Sequence, residues 1–261
     1  MSIAEHYDAF LLDLDGVVYV GREAVPGAAR AVAELRRLGK QVLFVTNDAR
    51  STRRQYAAKL AGMGIPATVA DVLSAGSAMA AYMTQRHPVG GRGCYAIGPQ
   101  ALKEELAIAG LALCEGDAGR TAESVAVAFH EGFHYRELLV ATQALRAGAV
   151  LYGTNRDTIF PMPDGPWPAT GAVLAAVETG GGRQAIVVGK PELPMFEIAR
   201  GLLPAKTRLA IVGDSLFSDI QGGRRAGIAT VLVLSGNTRP EELARSQLQP
   251  DYVVPGLADI L

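Results

Sequence analysis

The stretch AFLLDLDGV, residues 9–17, decides the fold of this 261-residue chain. It begins with a short apolar run, Ala9 to Leu12, which is typical of a buried parallel strand. Asp13 and Asp15 follow two positions apart, so an extended backbone directs both carboxylates to the same side. Gly16 comes next and permits a sharp turn. The stretch therefore predicts a strand that ends in a pair of carboxylates.

The residues that follow alternate between helical and strand patterns. Apolar residues at helical spacing predict a helix over residues 28–38, with Gly39 as its C-terminal cap. The apolar run 41–45 predicts a second strand that ends in Thr46-Asn47, and Ser51 is expected to cap the next helix. The order strand, helix, strand, helix predicts a parallel sheet.

The last third of the chain repeats this alternation. Strands are predicted at residues 185–188, 208–212, 229–234 and 252–254, and helices at residues 193–203 and 217–225. Gly189-Lys190-Pro191 and Gly213-Asp214 each follow a predicted strand directly. In an open α/β sheet, ligands bind just beyond the carboxyl ends of the strands. The predicted fold class is therefore α/β, with a Rossmann-like, doubly wound parallel sheet as its core.

The middle of the chain has a strand and helix series of its own, which indicates an inserted domain. Strands are predicted near residues 94–97, 124–129 and 150–152, and helices near residues 101–109 and 137–147. We therefore expect a core of residues 1–78 and 171–261 that carries a smaller inserted α/β domain of residues 79–170.

Composition and charge exclude several classes of protein. The 25 basic and 26 acidic residues give a formal net charge of -1, so nucleic acid is not an expected partner. The longest stretch without charge, residues 72–85, is shorter than the roughly 20 residues of a membrane-spanning helix. The acidic N-terminus does not fit a secretory signal, so a cytoplasmic location is expected. The two cysteines indicate neither a disulfide framework nor a zinc site.

A second acidic pair, Asp214 and Asp219, follows the predicted strand 208–212. If neighbouring strands bring it beside Asp13 and Asp15, four carboxylates face the single ammonium of Lys190, which would raise their pKa values and repel anions. A divalent cation is therefore expected. Oxygen ligands without nearby His or Cys favour a hard ion, and carboxylates completed by water and a phosphate oxygen suit Mg²⁺.

Four segments, in this order, resemble the motifs of the haloacid dehalogenase (HAD) superfamily. They are Asp13-Leu14-Asp15-Gly16-Val17, Thr46-Asn47, Gly189-Lys190-Pro191, and Gly213-Asp214 through Asp219. The resemblance is to subfamily IIA, in which a C2-type α/β cap is inserted between the second and third motifs. NagD-like, p-nitrophenyl and pyridoxal phosphate phosphatases belong there. The resemblance implies a Mg²⁺-dependent phosphatase that hydrolyses phosphomonoesters of small metabolites through an aspartyl-phosphate.

The same resemblance implies roles for the acidic residues. Asp13 is the nucleophile that attacks phosphorus, and Asp15 is the general acid and base. Mg²⁺ is held by the Asp13 carboxylate, the Asp15 backbone carbonyl and Asp214. Asp219 orients a metal-bound water or Lys190 and belongs to the layer of residues around the metal ligands.

The phosphoryl oxygens are assigned by the resemblance to three further residues, Thr46, Asn47 and Lys190. The second motif of the subfamily usually reads Thr-Asn-Asn-Ser, but residues 46–49 here read Thr-Asn-Asp-Ala. An anionic Asp48 would repel a phosphate unless it turns away or pairs with Arg50 or Arg53. Asp48 is therefore a candidate substrate-binding position whose role is open.

The inserted domain offers three further candidate contacts to the substrate. His130 lies in an aromatic and His-rich stretch that either faces the substrate or forms a solvated loop. Asn155 and Asp157 fall where the inserted domain returns to the core.

Other functions remain alternatives at this point. Dehalogenase chemistry needs the first Asp but no proton donor two residues later, so Asp15 argues against it. A phospho-accepting receiver domain is about half this length and has no inserted domain. A catalytically silent or regulatory protein that binds a phosphometabolite remains open because of Asp48. The natural substrate is open among sugar or polyol phosphates, pyridoxal phosphate, phosphoglycolate and nucleoside monophosphates, and the resemblance suggests a homodimer or tetramer formed through caps.

Overall fold

The computed structural model describes residues 2–86, 91, 93–162 and 164–261. The chain divides into two compact units. Unit 1 comprises Met1–Thr46, Arg53–Leu73 and Lys190–Leu261, and unit 2 comprises Asn47–Thr52 and Ser74–Gly189.

Short strands and helices alternate along both units. The strands of the described residues are β1 (Ala9–Asp13), β2 (Tyr19–Val20), β3 (Glu23–Ala24), β4 (Gln41–Thr46), β5 (Val72–Ser74), β6 (Cys94–Ile97), β7 (Leu113–Cys114), β8 (Ser124–Val127), β9 (Val150–Gly153), β10 (Ile159–Met162), β11 (Gly165–Pro168), β12 (Ile186–Val187), β13 (Leu209–Gly213), β14 (Ala229–Val233) and β15 (Tyr252–Val254).

The α-helices of the same residues are α1 (Ile3–His6), α2 (Ala28–Arg37), α3 (Arg53–Gly62), α4 (Ala75–Thr84), α5 (Gln100–Ile108), α6 (Tyr135–Arg146), α7 (Thr170–Gly181), α8 (Leu193–Gly201), α9 (Gly222–Arg225) and α10 (Pro240–Arg245). Short 3-10 helices lie at Val69–Asp71, Gly116–Thr121 and Leu257–Ile260, and a π-helical segment lies at Leu216–Gln221.

The sheet of unit 1 has the strand order β15-β14-β13-β1-β4-β5. The central strand β1 pairs in parallel with β13 on one side and with β4 on the other. Phe10 and Leu12 are buried in one apolar cluster with Val32 and Leu35 of α2. Leu11, which points to the opposite face, is equally buried. Both faces of β1 are therefore covered, as in doubly wound folds.

The sheet of unit 2 is smaller, with the strand order β12-β9-β8-β6-β7. All four of its neighbouring pairs, β12 with β9, β9 with β8, β8 with β6 and β6 with β7, are parallel as well. Val127 and Leu151 of this sheet share an apolar cluster with Leu145 of α6 and Leu174 of α7. A parallel core sheet and a separate smaller sheet confirm the predicted α/β fold class.

The predicted strand at residues 185–188 belongs to the other sheet. It is β12, and Ile186 and Val187 pair with Tyr152 and Gly153 of β9 in unit 2 rather than with the core sheet. Helix α7 also lies in unit 2, which therefore extends beyond the expected boundary at residue 170. Apolar periodicity predicts that a strand forms, but its pairing partner is set by contacts distant in sequence.

Two predicted helices also differ from the observed ones, one in its first residue and one in its helix type. Helix α3 begins at Arg53, so Thr52 rather than Ser51 precedes its first residue. The predicted helix at residues 217–225 is a π-helical segment followed by the short helix α9. Within the described part of the chain, no helix has both the length and the apolar character needed to cross a membrane.

Candidate active site

The central strand of unit 1 carries the first acidic residue to the carboxyl edge of its sheet. Asp13 is the last residue of β1 and lies in register with Val45, one residue before the buried Thr46 that ends β4. On the other side, β13 ends at Gly213, and Asp214 follows. Because neighbouring parallel strands end at the same edge, residues far apart in the sequence meet there.

Lys190 lies between two carboxylates at this edge. Its Nζ is 2.8 Å from Asp13 Oδ1 and donates a hydrogen bond to Asp219 Oδ1 at 2.6 Å. The side chains of Lys190 and Asp219 are 1% and 0% exposed, whereas that of Asp13 is 14% exposed. Burial by itself lowers the pKa of the ammonium, but the two carboxylates outweigh burial and raise it. Lys190 therefore stays protonated.

The carboxylate of Asp219 is held by donors on both oxygens. Oδ1 accepts from Lys190, and Oδ2 accepts from the Ser215 N–H at 3.1 Å and from the Ser218 hydroxyl at 3.3 Å. Gly213 makes room for this carboxylate, because a Cβ there would be 2.2 Å from Asp219 Cβ. The π-helical segment thus fixes Asp219 so that it faces the ammonium of Lys190.

Asp214 is 2% exposed, and its Oδ2 accepts a hydrogen bond from the Asn237 N–H at 2.7 Å. Burial and the negative charge of Asp219 raise the pKa of this carboxyl to about 6, against the smaller opposite effect of the Asn237 bond. The pKa of Asp13 is also raised well above its usual value, by burial and by Asp219 and Asp214, although Lys190 opposes this.

The acidic group has the composition of a cation site. One carboxylate oxygen from each of Asp13, Asp214 and Asp219 lies within 4.8 Å of the others. The three carboxylates exceed the charge of the Lys190 ammonium, which contacts Asp13 and Asp219, and an all-oxygen donor set matches a hard divalent ion such as Mg²⁺. The residues present therefore fit the expected ion.

Asp15 lies apart from this acidic group. It is exposed and is not one of the residues whose carboxylates approach within 4.8 Å. The prediction that four carboxylates meet assumed an extended backbone from Asp13 to Asp15. Strand β1 ends at Asp13, so the extended backbone does not continue to Asp15. The structure therefore brings together the carboxylates of Asp13, Asp214 and Asp219, three of the four that were predicted to meet.

Comparisons with known proteins place this arrangement in a family. A model described as haloacid dehalogenase-like hydrolase matches residues 10–112, and a HAD-hydrolase-like model matches residues 187–260. The chain is 38% identical to human chronophin, over 96% of this chain and 90% of chronophin. It is 33% identical to the sugar-phosphatase AraL of Bacillus subtilis, over 96% and 90% of the two chains.

The chain belongs to the haloacid dehalogenase-like hydrolases. A solved glycerol phosphate phosphatase of Mycobacterium tuberculosis, in complex with magnesium, is 31% identical with a TM-score of 0.89, covering 100% of this chain and 78% of the other. The predicted family and class, a HAD-type phosphoric monoester hydrolase with Mg²⁺ as its cofactor, are confirmed.

Unit 2 of this HAD-like hydrolase holds the unusual Asp48. Arg50 donates to it through Nε at 2.9 Å, through NH2 at 3.0 Å and through its backbone N–H at 2.8 Å. The Arg50 guanidinium also lies 5.1 Å from the centroid of the Phe160 ring. Asp48 therefore pairs with Arg50, one of the two arginines considered from the sequence.

Both polar atoms of the Asn155 side-chain amide form hydrogen bonds within unit 2 of the HAD-like hydrolase. Its Nδ2 donates to the Asn47 carbonyl at 3.0 Å, and its Oδ1 accepts from the Asp157 N–H at 3.1 Å. Asn155 is 7% exposed, whereas Asp157 is exposed. Asn155 thus joins the loop that carries Asn47 to the loop that carries Asp157.

His130 takes part in the start of helix α6. Its Nε2 lies 3.1 Å from Glu137 Oε2, the same oxygen that accepts from the His134 N–H at 3.1 Å. The His130 side chain is 19% exposed, whereas His134 of the same loop is exposed. A contact to substrate remains a prediction.

The segment at residues 235–238, which follows β14, was not among the residues singled out from the sequence. Ser235 and Thr238 make hydrogen bonds to the carboxylate-bearing segments, as does the Asn237 backbone. A signal was available, because Ser235-Gly236-Asn237 follows a buried strand just as the four motifs of the HAD-like hydrolase do.

Proposed function

We propose that this chain hydrolyses phosphomonoesters of small metabolites by transferring the phosphoryl group to the carboxylate of Asp13. The observation that carries this proposal is the buried group in which Lys190 contacts both Asp13 and Asp219, with Asp214 alongside. Of the three residues in contact, Asp13 has by far the most exposed side chain. Asp13 is therefore the one that a phosphate can reach.

The other residues of the group prepare Asp13 for attack. Lys190 donates to the phosphoryl oxygens and offsets the charge that they carry in the transition state, together with Thr46 and Asn47. Asp219 holds the ammonium of Lys190 in place by its 2.6 Å hydrogen bond. Asp13, Asp214 and the Asp15 backbone carbonyl would hold Mg²⁺, which would supply positive charge that favours the ionised form of Asp13 and attracts the phosphate.

Asp15 is suited to proton transfer because it is exposed to solvent and substrate. Its exposed carboxyl can protonate the leaving alkoxide and then accept a proton from the water that hydrolyses the aspartyl-phosphate. Attack by Asp13 breaks the bond between phosphorus and the leaving oxygen, and attack by water returns Asp13 and releases inorganic phosphate.

The test compares p-nitrophenyl phosphate hydrolysis by wild type, Asp13→Asn and Asp8→Asn. We expect Asp13→Asn to lose turnover by about 10³-fold or more, because an amide is a poor nucleophile and a weaker metal ligand. Asp8 is a matched control in the same unit, since it is an exposed carboxylate paired with Arg208. Chelation of Mg²⁺ should abolish the wild-type activity. Near-wild-type turnover by Asp13→Asn would exclude the aspartyl-phosphate mechanism.

Substrate preference is proposed to depend on unit 2, as an inserted cap. Its candidate contacts are Asp48, His130, Asn155 and Asp157. The relatives named above include a sugar phosphatase and a glycerol phosphate phosphatase, so small polyol and sugar phosphates are the first substrates to test. A screen of about a hundred phosphorylated metabolites, with inorganic phosphate as the readout, would rank them.

The cytoplasmic location and a homo-oligomeric state also remain predictions. Sedimentation equilibrium of the purified chain tests the second of these. A single species at 27.4 kDa over the whole concentration range would exclude a homodimer or tetramer.

A further inference from the structure

The loop after β14, residues 235–238, contacts two separate segments that carry proposed metal ligands. One is the turn at Asp15-Gly16, and the other begins at Asp214. All of these residues lie in unit 1. The loop contributes no carboxylate of its own, so its effect on the site must act through the residues that it holds.

The Ser235 hydroxyl fixes the turn after β1. It donates to the Gly16 carbonyl at 2.6 Å, across 219 positions in the sequence. The Gly16 N–H donates to the Tyr19 carbonyl at 2.8 Å, so both backbone groups of Gly16 are held. The Gly16 N–H and the Asp15 carbonyl belong to one planar peptide group. Holding Gly16 therefore also fixes the direction of the Asp15 carbonyl.

The same loop encloses the carboxylate of Asp214. Asn237 donates its N–H to Asp214 Oδ2 at 2.7 Å. A Cβ at Gly236 would be 2.0 Å from that oxygen, and a Cβ at Gly16 would be 2.2 Å from it. Asp214 Oδ2 therefore lies against the backbones of both glycines, and only residues without a side chain leave room for it.

Thr238 holds the backbone at Asp214 and just after it. Its N–H donates to the Asp214 carbonyl at 3.0 Å, and its Oγ1 accepts from the Leu216 N–H at 3.3 Å. Thr238 is 3% exposed, so these bonds are shielded from water. The loop thus fixes the backbone and the side chain of Asp214 together.

We propose that Ser235 is a positioning residue for Mg²⁺, because its hydroxyl holds the Asp15-Gly16 turn against Asp214 before the ion binds. The proposal rests on the proposed function, which assigns the Asp15 carbonyl and Asp214 to the ion. Preorganised ligands bind a metal more tightly, because less ordering has to accompany binding.

The experiment measures Mg²⁺ affinity by isothermal titration calorimetry on the whole chain without substrate. Ser235→Ala removes the hydroxyl, and Ser235→Thr keeps it. Ser246→Ala is the matched control, because its hydroxyl accepts a hydrogen bond from the Leu248 N–H, two residues along the chain. The melting temperature in excess chelator and kcat at saturating Mg²⁺ are measured for each variant.

We expect Ser235→Ala to raise the Kd for Mg²⁺ by about tenfold, the size typical of residues that orient metal ligands. Its kcat at saturating Mg²⁺ should stay within about threefold of wild type, since no reacting group is removed. Ser235→Thr should restore the affinity, and Ser246→Ala should not change it. A Kd unchanged in Ser235→Ala, or a lower melting temperature in chelator without a change in Kd, would overturn the proposal.

A second variant tests the enclosure of Asp214 by sterics alone. Gly236→Ala places a methyl group where Asp214 Oδ2 lies, so we expect Mg²⁺ affinity to fall by at least about tenfold. Gly201→Ala is its control, because nothing lies within 4 Å of a Cβ there. Equal affinity in these two variants would also overturn the proposal.

Failure of this proposal is distinguishable from failure of the proposed function. If the wild type neither binds Mg²⁺ nor hydrolyses p-nitrophenyl phosphate, the proposed function fails and with it the basis of the inference. If the wild type does both and Ser235→Ala binds Mg²⁺ equally well, only the role of Ser235 is wrong.

Discussion

The two units place polar residues after parallel strands in the same way but balance their charges differently. In unit 1, Asp13 and Asp219 contact one ammonium, that of Lys190, and Asp214 adds a third buried carboxylate. In unit 2, two of the polar candidates each contact an ionisable side chain nearby. Asp48 meets Arg50, and His130 meets Glu137. An excess of one charge creates a site for a cation, whereas balanced pairs stabilise local structure.

The difference has an energetic basis. Breaking a buried ion pair by removing one partner typically costs about 3–5 kcal/mol, because it leaves an uncompensated charge. An exposed pair contributes only about 0–1 kcal/mol. The acidic group of unit 1 therefore holds charges that a protein would not bury for stability alone. That is the reason to assign the chemistry to unit 1.

The comparison assigns the chemistry to the acidic group of unit 1, whereas Asp15 is exposed and is not part of that group. A variant of Asp15 is therefore the strongest test of the comparison. We expect Asp15→Asn to lower glycerol phosphate hydrolysis by about 10²- to 10⁴-fold, the size of a lost proton transfer. The loss should be much smaller for p-nitrophenyl phosphate, whose leaving group needs little protonation. Steady-state kinetics with both substrates supply the comparison. Equal losses on both would assign Asp15 to the metal site instead.

Lys190→Met tests whether the buried charges of unit 1 depend on each other. Removal of the ammonium leaves Asp13 and Asp219 without it, so we expect the free energy of unfolding in chelator to fall by about 3–5 kcal/mol. Lys59→Met is the control, because its ammonium lies 3.4 Å from the Tyr19 ring centroid instead of between two carboxylates, so the loss of stability should be smaller. Denaturant titration measures both, and similar losses would contradict the distinction.

Asp48→Asn tests the balanced pairing in unit 2 and restores the residue usual in the subfamily. The Arg50 and Asp48 side chains are 49% and 24% exposed, so the pair should contribute about 1 kcal/mol or less. We expect p-nitrophenyl phosphate hydrolysis to change by less than about tenfold. The ranking of natural phosphomonoesters should shift more. Asp117→Asn, which breaks the exposed pairs with Arg120 and Arg136, is the matched control and should leave that ranking unchanged.

The smallest effect is expected at an exposed pair of unit 1, away from the acidic group. Hydrogen bonds from Arg208 lower the pKa of Asp8 to about 2 from its ordinary 3.8. A lowered pKa in the folded state stabilises the protein above the ordinary value, and this contribution disappears as the pH falls from about 4 to about 2. The stability difference between wild type and Asp8→Asn, measured by denaturant titration, should shrink over that range. A constant difference would show that the charge of Asp8 does not contribute.

The sequence by itself determined the class of fold and the acidic residues. Apolar runs such as Ala9 to Leu12 and the polar residues directly after them are local patterns of the sequence. Such patterns predict secondary structure without knowledge of distant contacts. For this reason Asp13, Lys190, Asp214 and Asp219 could be singled out as residues that meet at one edge of a sheet.

Only the tertiary structure decided which strands pair with each other and which side chains form hydrogen bonds. The strand Ile186–Val187 was evident from its sequence, yet its pairing with β9 rather than with the core sheet depends on packing between distant segments. The hydrogen bond from Ser235 to Gly16 joins residues 219 positions apart, and no local pattern encodes it. A side chain's chemistry is a property of its residue, but its partner is a property of the folded chain, because contacts distant in sequence form only when the sheets assemble.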